Sequence, residues 1–214
     1  MNTMACYAIS MNAGDAARLH GPQAAPQALH FAASRPRVHI GRPRHGLGHP
    51  LASATRHDSA AVPGITLQAA TVRDVDAIAH ILALCGSTWK QSHVRDEFTR
   101  PVSHVVVATT EEESVVGVCV AWKVAGETHV MELGVHPDFR RRGIATRMLD
   151  ECVHFDCDKD AGGVTLLEVR ESNSEARSMY ARLGFVEVGK RSKYYPDGEA
   201  AVLCTRREDD GRSD

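Results

Sequence analysis

The 214-residue chain reads as an α+β domain, a mixed sheet with helices on its faces, behind an unstructured leader. Three observations carry this reading. Strand-length apolar runs dominate the middle of the chain, at residues 102–108, 115–124 and 128–135. Two segments with helical spacing, one from Gly143 and one over residues 172–183, interrupt the later strands. Neither period exists before Pro63.

Residues 1–62 hold six arginines, no lysine, and only Asp15 and Asp58, a net +4; the remaining residues carry −6 and the whole chain −2. This stretch is rich in alanine, proline and histidine and cannot bury enough apolar surface to offset its ordering entropy. Arginine-rich, acid-poor composition of this kind reads as an organelle transit peptide, plastid ahead of mitochondrion. An extension without an address fits the same composition, in which case the chain stays in the cytosol. The domain is expected over residues 63–207, followed by a polar tail at 208–214.

Within the domain, Ile65 and Leu67 mark a short strand. Thr71 to Asp74 forms a cap for a helix carrying Val75, Ile78, Ala79 and Leu82, which Gly86 stops. A second short helix covers residues 92–98 and ends before Pro101. Glu111 to Glu113 is a solvated turn between strands, and Ala125-Gly126-Glu127 joins the next pair. Ile144, Met148, Leu149, Cys152 and Val153 form one side of a helix. Residues 164–169 make a strand, and residues 172–183 a helix with Ser172 and Glu175 as capping box and Gly184 at its stop. Strands at 185–188 and 200–205 complete the domain.

Composition narrows the function classes. At 43% apolar and 24% charged residues the chain is neither wholly disordered nor fibrous. No apolar run approaches the roughly 20 residues of a membrane span. The near-neutral balance gives no reason to expect nucleic acid. The six cysteines contain no C-x-x-C pair, so they read as reduced, packed thiols. Twelve histidines invite a metal, but six lie in the leader and none forms a ligand-spaced pair beside carboxylates, so no metal is expected.

The most informative stretch runs from Met131 to Thr146. A strand ends near Val135, a helix starts near Gly143, and the basic turn between them contains glycine. A helix's first turn offers unpaired N–H groups and about half a positive charge. Gly143 and Ala145 keep the approach open, and Arg140, Arg141 and Arg142 add charge for a phosphate-bearing ligand. A surface arginine run on a solvated loop is the plainer reading of those three residues alone. Neither a dinucleotide fingerprint nor a P-loop is present.

Arg140-x-x-Gly143-x-Ala145 resembles the pyrophosphate loop of the GNAT superfamily of acetyl-CoA-dependent N-acetyltransferases. Leu133-Gly-Val135 before it, Leu167-Glu-Val-Arg-Glu-Ser-Asn173 after the next helix, and Met179-Tyr-Ala-Arg-Leu-Gly-Phe185 beyond extend the likeness over residues 64–206. It is closest to the RimI-type ribosomal-protein alanine N-acetyltransferases. The resemblance implies a single domain with a central, mostly antiparallel mixed sheet and helices on both faces. It implies that the backbone of Leu133, Gly134 and Val135 pairs with the pantetheine arm of acetyl-CoA. Arg140 to Thr146, Ile144 included, would hold the pyrophosphate, and Asn173 would contact the cofactor. Glu168 matches the general base and Tyr180 the general acid. Trp89, Tyr194 and Tyr195 match positions lining the peptide entrance. Glu132 stands among them where RimI-type proteins often have asparagine, which bears on acceptor preference. The implied partner is a protein or peptide N-terminus, with no membrane or direct nucleic-acid contact, and the expected state is a monomer or weak dimer.

Each assignment has a plainer rival in the residues themselves. Glu168 fits a solvent-facing strand carboxylate, Tyr180 a core aromatic, Asn173 a helix cap and Trp89 the edge of the domain. Lysine or small-molecule amine acetylation, and a non-catalytic acetyl-CoA-binding module, are the alternative functions. An RNA-binding role for Arg140 to Arg142 lacks a wider basic face.

Overall fold

The computed structural model describes residues 62–154 and 163–207. The leader expected at 1–62 (save Val62), the tail at 208–214, Cys6 and Cys157 lie outside the described residues.

Seven strands form one sheet: β1 (Ile65–Ala69), β2 (Ser103–Thr110), β3 (Val115–Val124), β4 (Glu127–Val135), β5 (Val164–Arg170), β6 (Val186–Arg191) and β7 (Ala201–Arg207). Four α-helices accompany them among the described residues: α1 (Val75–Leu84), α2 (Gln91–Glu97), α3 (Ile144–His154) and α4 (Ser174–Arg182). The spatial order is β1-β2-β3-β4-β5-β7-β6. Every neighbouring pair is antiparallel except β4 and β5, which are parallel. This is the mixed, mostly antiparallel sheet that the resemblance implied.

Period-two alternation sorts the strand residues into two layers. Val106, Ala108, Cys119 and Ala121 pack beneath α3 and α4, against Met148, Leu149, Cys152, Ala176 and Met179. Val105, Val107, Val118, Val120 and Trp122 pack against α1 and α2, with Ile78, Ile81, Leu82 and Val94. Truncating a fully buried leucine in either layer, such as Leu82 or Leu149, would cost about 2–5 kcal/mol. Cys85, Cys119, Cys152 and Cys204 are buried thiols, none of them in a disulfide among the described residues.

Local signals explain most boundaries. Thr71 and Asp74 form a reciprocal cap on a single 3-10 turn leading into α1, with Thr71 N–H donating to Asp74 Oδ2 at 2.7 Å. Ala125 and Gly126, both at positive φ, make the tight β3–β4 turn. The α4 cap differs from the expected Ser172–Glu175 box. Asn173 is the cap, its Oδ1 accepting from Ala176 N–H at 3.1 Å. Ser172 N–H instead donates to Glu199 Oε1 at 2.7 Å, and Glu175 pairs with Arg141. A tertiary contact from 27 residues away holds Ser172 outside the helix.

Candidate active site

The site begins where the sheet stops closing. β4 and β5 pair from Glu127↔Val164 to Val130↔Leu167, and there the ladder ends. A bulge sits at the same level. Val120 faces Glu132 and Ala121 faces Val130, so Met131 is an extra residue in β4. Bulges bend and twist a strand, and here the bend opens a gap beside residues 131–135. Met131 and Glu132 consequently share the α1–α2 side: Met131 packs in that layer, and Glu132 Oε1 accepts from Ser87 Oγ at 2.8 Å. Leu133 and Val135 return to the α3–α4 layer. Gly134 faces α1 so closely that a Cβ would stand 3.2 Å from Cys85 Sγ.

Beyond β4 the chain makes a 3-10 turn at Pro137–Phe139 and enters α3. Arg141 at φ 63° and Gly143 at φ 81° take the left-handed conformation, which glycine adopts without strain. Arg147 N–H reaches Gly143 O at 3.1 Å. The N–H groups of residues 143–146 are therefore those that a helix leaves without internal acceptors. A cleft of about 180 Å³ opens in front of them, bounded by Val135, Phe139 and Arg141 on one side and by Met179 and Arg182 of α4 on the other.

The three arginines divide their work. Arg140 folds back, its Nε donating to Val135 O at 3.0 Å. Arg142 donates to Asp138 O at 3.0 Å and lies over the Phe139 ring. Arg141 lines the cleft, paired with Glu175 at 3.1 Å. Arg182 supplies a second cation that the sequence reading missed; its signal was the helical spacing of three from Met179. Asn173 is absent from the cleft lining and serves as the α4 cap.

Glu168 leaves β5 on the side opposite its core neighbours Leu167 and Val169. It is only 4% exposed; Oε1 lies 3.2 Å from Arg191 Nε, while Oε2 has no hydrogen-bond partner. Tyr180 is buried in the α3–α4 layer, edge-on to Phe185 with ring centroids 5.6 Å apart. By packing it is a core aromatic, and its hydroxyl is buried at the same time.

The loop between β6 and β7 brings both tyrosines of the expected entrance to this region. Arg170 stacks on the Tyr195 ring at 3.9 Å and bridges Asp197 at 2.7 Å and Glu199 at 2.6 Å. Tyr195 is buried and its hydroxyl has no hydrogen-bond partner. Burial pushes that hydroxyl well above its ordinary pKa; Arg170 opposes the shift, and Glu168, Tyr194 and Glu132 reinforce it. Tyr195 therefore stands within electrostatic reach of both carboxylates. Half-buried Tyr194 packs edge-on to Tyr195 and lies under the Arg191 guanidinium. Trp89 is buried in the α1–α2 layer, and its main-chain N–H donates to Ser87 Oγ at 3.1 Å. Ser87 and Arg191 are site residues that carried no signal in the sequence. Among the described residues no group of three or more metal-ligating side chains stands together, and no helix is long and apolar enough to cross a membrane.

Comparison with known proteins agrees with this architecture. A family model described as an acetyltransferase (GNAT) domain matches residues 101–187. The [ribosomal protein bS18]-alanine N-acetyltransferase of Haemophilus ducreyi is 31% identical over 100 residues, covering 44% of this chain and 67% of that protein. The chain belongs to the GNAT acetyltransferase family. A second relative, the N-alpha-acetyltransferase RimI of Mycobacterium tuberculosis, is 39% identical over 82 residues, which are 38% of this chain. That match spans 49% of the relative, about half its length. The crystal structure of the ribosomal-protein-S18-alanine N-acetyltransferase from Escherichia coli shares the GNAT fold, with a TM-score of 0.59 at 24% identity over 67% of this chain and 94% of that one.

Proposed function

We propose that this GNAT chain transfers acetyl from acetyl-CoA to the α-amine at a protein or peptide N-terminus, with Glu168 as general base and Tyr180 as general acid. The observation that carries this reading is Glu168 Oε2, a buried carboxylate oxygen with no partner beside the parted strands. An unpaired polar atom buried away from water is costly, so a hydrogen-bond donor that enters beside Glu168 Oε2 is favoured there.

The residues present fit acetyl-CoA, which supplies an acetyl group activated as a thioester. The margin of β4 beyond the β4–β5 ladder, at Leu133–Val135, can receive an amide-bearing arm as an added strand. The N–H groups of residues 143–146, with Arg141 and Arg182, suit a diphosphate. Trp89, Glu132, Tyr194 and Tyr195 border the acceptor side.

An amine attacks only when neutral. An α-amine of pKa about 8 is roughly a tenth neutral at pH 7, whereas a lysine near 10.4 is neutral in only a few parts in ten thousand. The amine nitrogen bonds to the acetyl carbon as the carbon–sulfur bond breaks. Its proton passes to Glu168 Oε2, and the Tyr180 hydroxyl gives its proton to the departing sulfur. A main-chain N–H near Val135 faces the acetyl oxygen as charge develops there.

The test is mass spectrometry of a peptide library incubated with the full chain and labelled acetyl-CoA. Label on α-amines is expected. Label confined to lysine side chains would move the chain to the alternative acceptor class. Tight acetyl-CoA binding without any transfer would make it a binding module. The leader of residues 1–62 directs the chain to an organelle, a plastid ahead of a mitochondrion. A reporter fused to those residues is expected inside the organelle, and a diffuse cytosolic signal would overturn that address.

A further inference from the structure

We infer that Glu132 anchors the acceptor as an ammonium ion, so that protonated primary amines are the substrate class this site takes up; the inference rests on the function proposed above. The bulge at Met131 turns Glu132 to the α1–α2 side of the sheet, the side on which Glu168 emerges from β5. Glu132 is 0% exposed, and the hydroxyl of Ser87 fixes its Oε1. Two further polar atoms point to a ligand here. Glu168 Oε2 and the Tyr195 hydroxyl belong to side chains only 4% and 5% exposed, and neither has a hydrogen-bond partner. Tyr195 feels the charge of both Glu132 and Glu168.

An ammonium group has three N–H donors and no acceptor. The site offers three acceptors on separate elements: the Glu132 carboxylate on β4, Glu168 Oε2 on β5 and the Tyr195 oxygen in the β6–β7 loop. The guanidiniums nearby are already engaged, Arg191 by Glu168 and Arg170 by Asp197 and Glu199. Glu132, Glu168, Asp197 and Glu199 thus outnumber the two arginines, a balance that favours an arriving cation. Charge-assisted hydrogen bonds are about twice as strong as neutral ones, so the ammonium form is the one held. One of its protons passes through Glu168 to water, which leaves the neutral amine in place for attack and Glu168 charged again to take the second proton as the amide forms. Glu132 keeps its own charge throughout, which makes it a binding residue and leaves the proton transfer to Glu168.

The test compares two acceptors, a peptide with a free N-terminus and a fluorinated ethylamine that is neutral at the assay pH. In Glu132→Gln, which preserves shape and can still accept from Ser87, KM for the peptide should rise about tenfold or more while kcat stays within about threefold. KM for the neutral amine should not move. Glu132→Asp should recover part of the lost peptide affinity, and Ser87→Ala should raise peptide KM by a smaller factor without touching the neutral amine. Calorimetric affinity for acetyl-CoA should be unchanged in all three. Equal losses with both amines, or none, would overturn the inference and leave the function standing. A parent chain that acetylates neither amine would overturn both.

Discussion

Two buried carboxylates in this molecule have nearly the same surroundings and opposite meanings. Glu97 on α2 is 5% exposed and Glu168 on β5 is 4% exposed, and each faces an arginine. Glu97 spends both oxygens on its neighbours: Oε2 accepts from Trp122 Nε1 at 2.6 Å and Oε1 from Arg100 Nε at 3.4 Å, with Arg100 stacked on the Trp122 ring. Glu168 spends one oxygen on Arg191 and leaves the other without a hydrogen-bond partner, one residue past the end of the β4–β5 ladder. Burial and an ion pair are common to both, so neither marks the reactive group. The oxygen that Glu168 leaves unused is what supports its proposed role as the base.

That contrast can be broken or sharpened by substitution. The largest effect is expected from Glu168→Gln, which should lower turnover about 10²–10⁴-fold while leaving acetyl-CoA affinity intact. An unchanged rate would put Glu168 in the same class as Glu97. Tyr180→Phe should slow the chemical step by a smaller factor, up to about a hundredfold, because a departing thiolate needs protonation less than the acceptor nitrogen needs deprotonation. Rates equal to the parent would leave Tyr180 as packing alone. Glu97→Ala strands a buried indole N–H and should cost about 1–3 kcal/mol in denaturant unfolding, with activity per folded molecule unchanged. Loss of turnover in the folded variant would erase the distinction.

The smallest effect concerns the loop that carries Tyr194 and Tyr195. Asp197 is held below its ordinary pKa by the Glu199 N–H and by Arg170. Burial opposes the same shift in Glu199, but Ser172 and Arg170 outweigh it. Carboxylates lowered in the folded state contribute stability above their unfolded values, and that contribution is lost as the pH falls through the folded ones. The ordinary values are 3.8 for Asp197 and 4.5 for Glu199, so the loop should hold at neutral pH and loosen as acid is added below about 4.5. Amide exchange at Ser172 would follow this, and protection unchanged well into acid would show that the loop is held by packing.

Much of the fold was legible because local chemistry agreed with it. Apolar runs set β2, β3 and β4, Thr71 with Asp74 opened the α1 region, and Ala125-Gly126 fitted a tight turn. The site was legible only in part, because it depends on a break in those same rules. Strict alternation from Val130 would send Glu132 into the α3–α4 core; the extra residue at Met131, fixed by pairing with β3, reverses it. The basic run announced positive charge but could not say where long side chains fold, and only Arg141 of the three lines the cleft. Edge strand β6 is exposed throughout, with Val186 at 62% and Val188 at 61%, so apolar identity there gave no guide to depth.

The backward fold of Arg140 onto the Val135 carbonyl fastens the loop before α3 to the tip of β4. If that loop holds the diphosphate and β4 the arm, as proposed, the two become one gauge of fixed length. Any coenzyme thioester sharing the same diphosphate and arm would bring its sulfur to the same station, whatever acyl chain it carried. Choice among acyl lengths would then fall to the walls past that station, where Gly134 lies hard against Cys85.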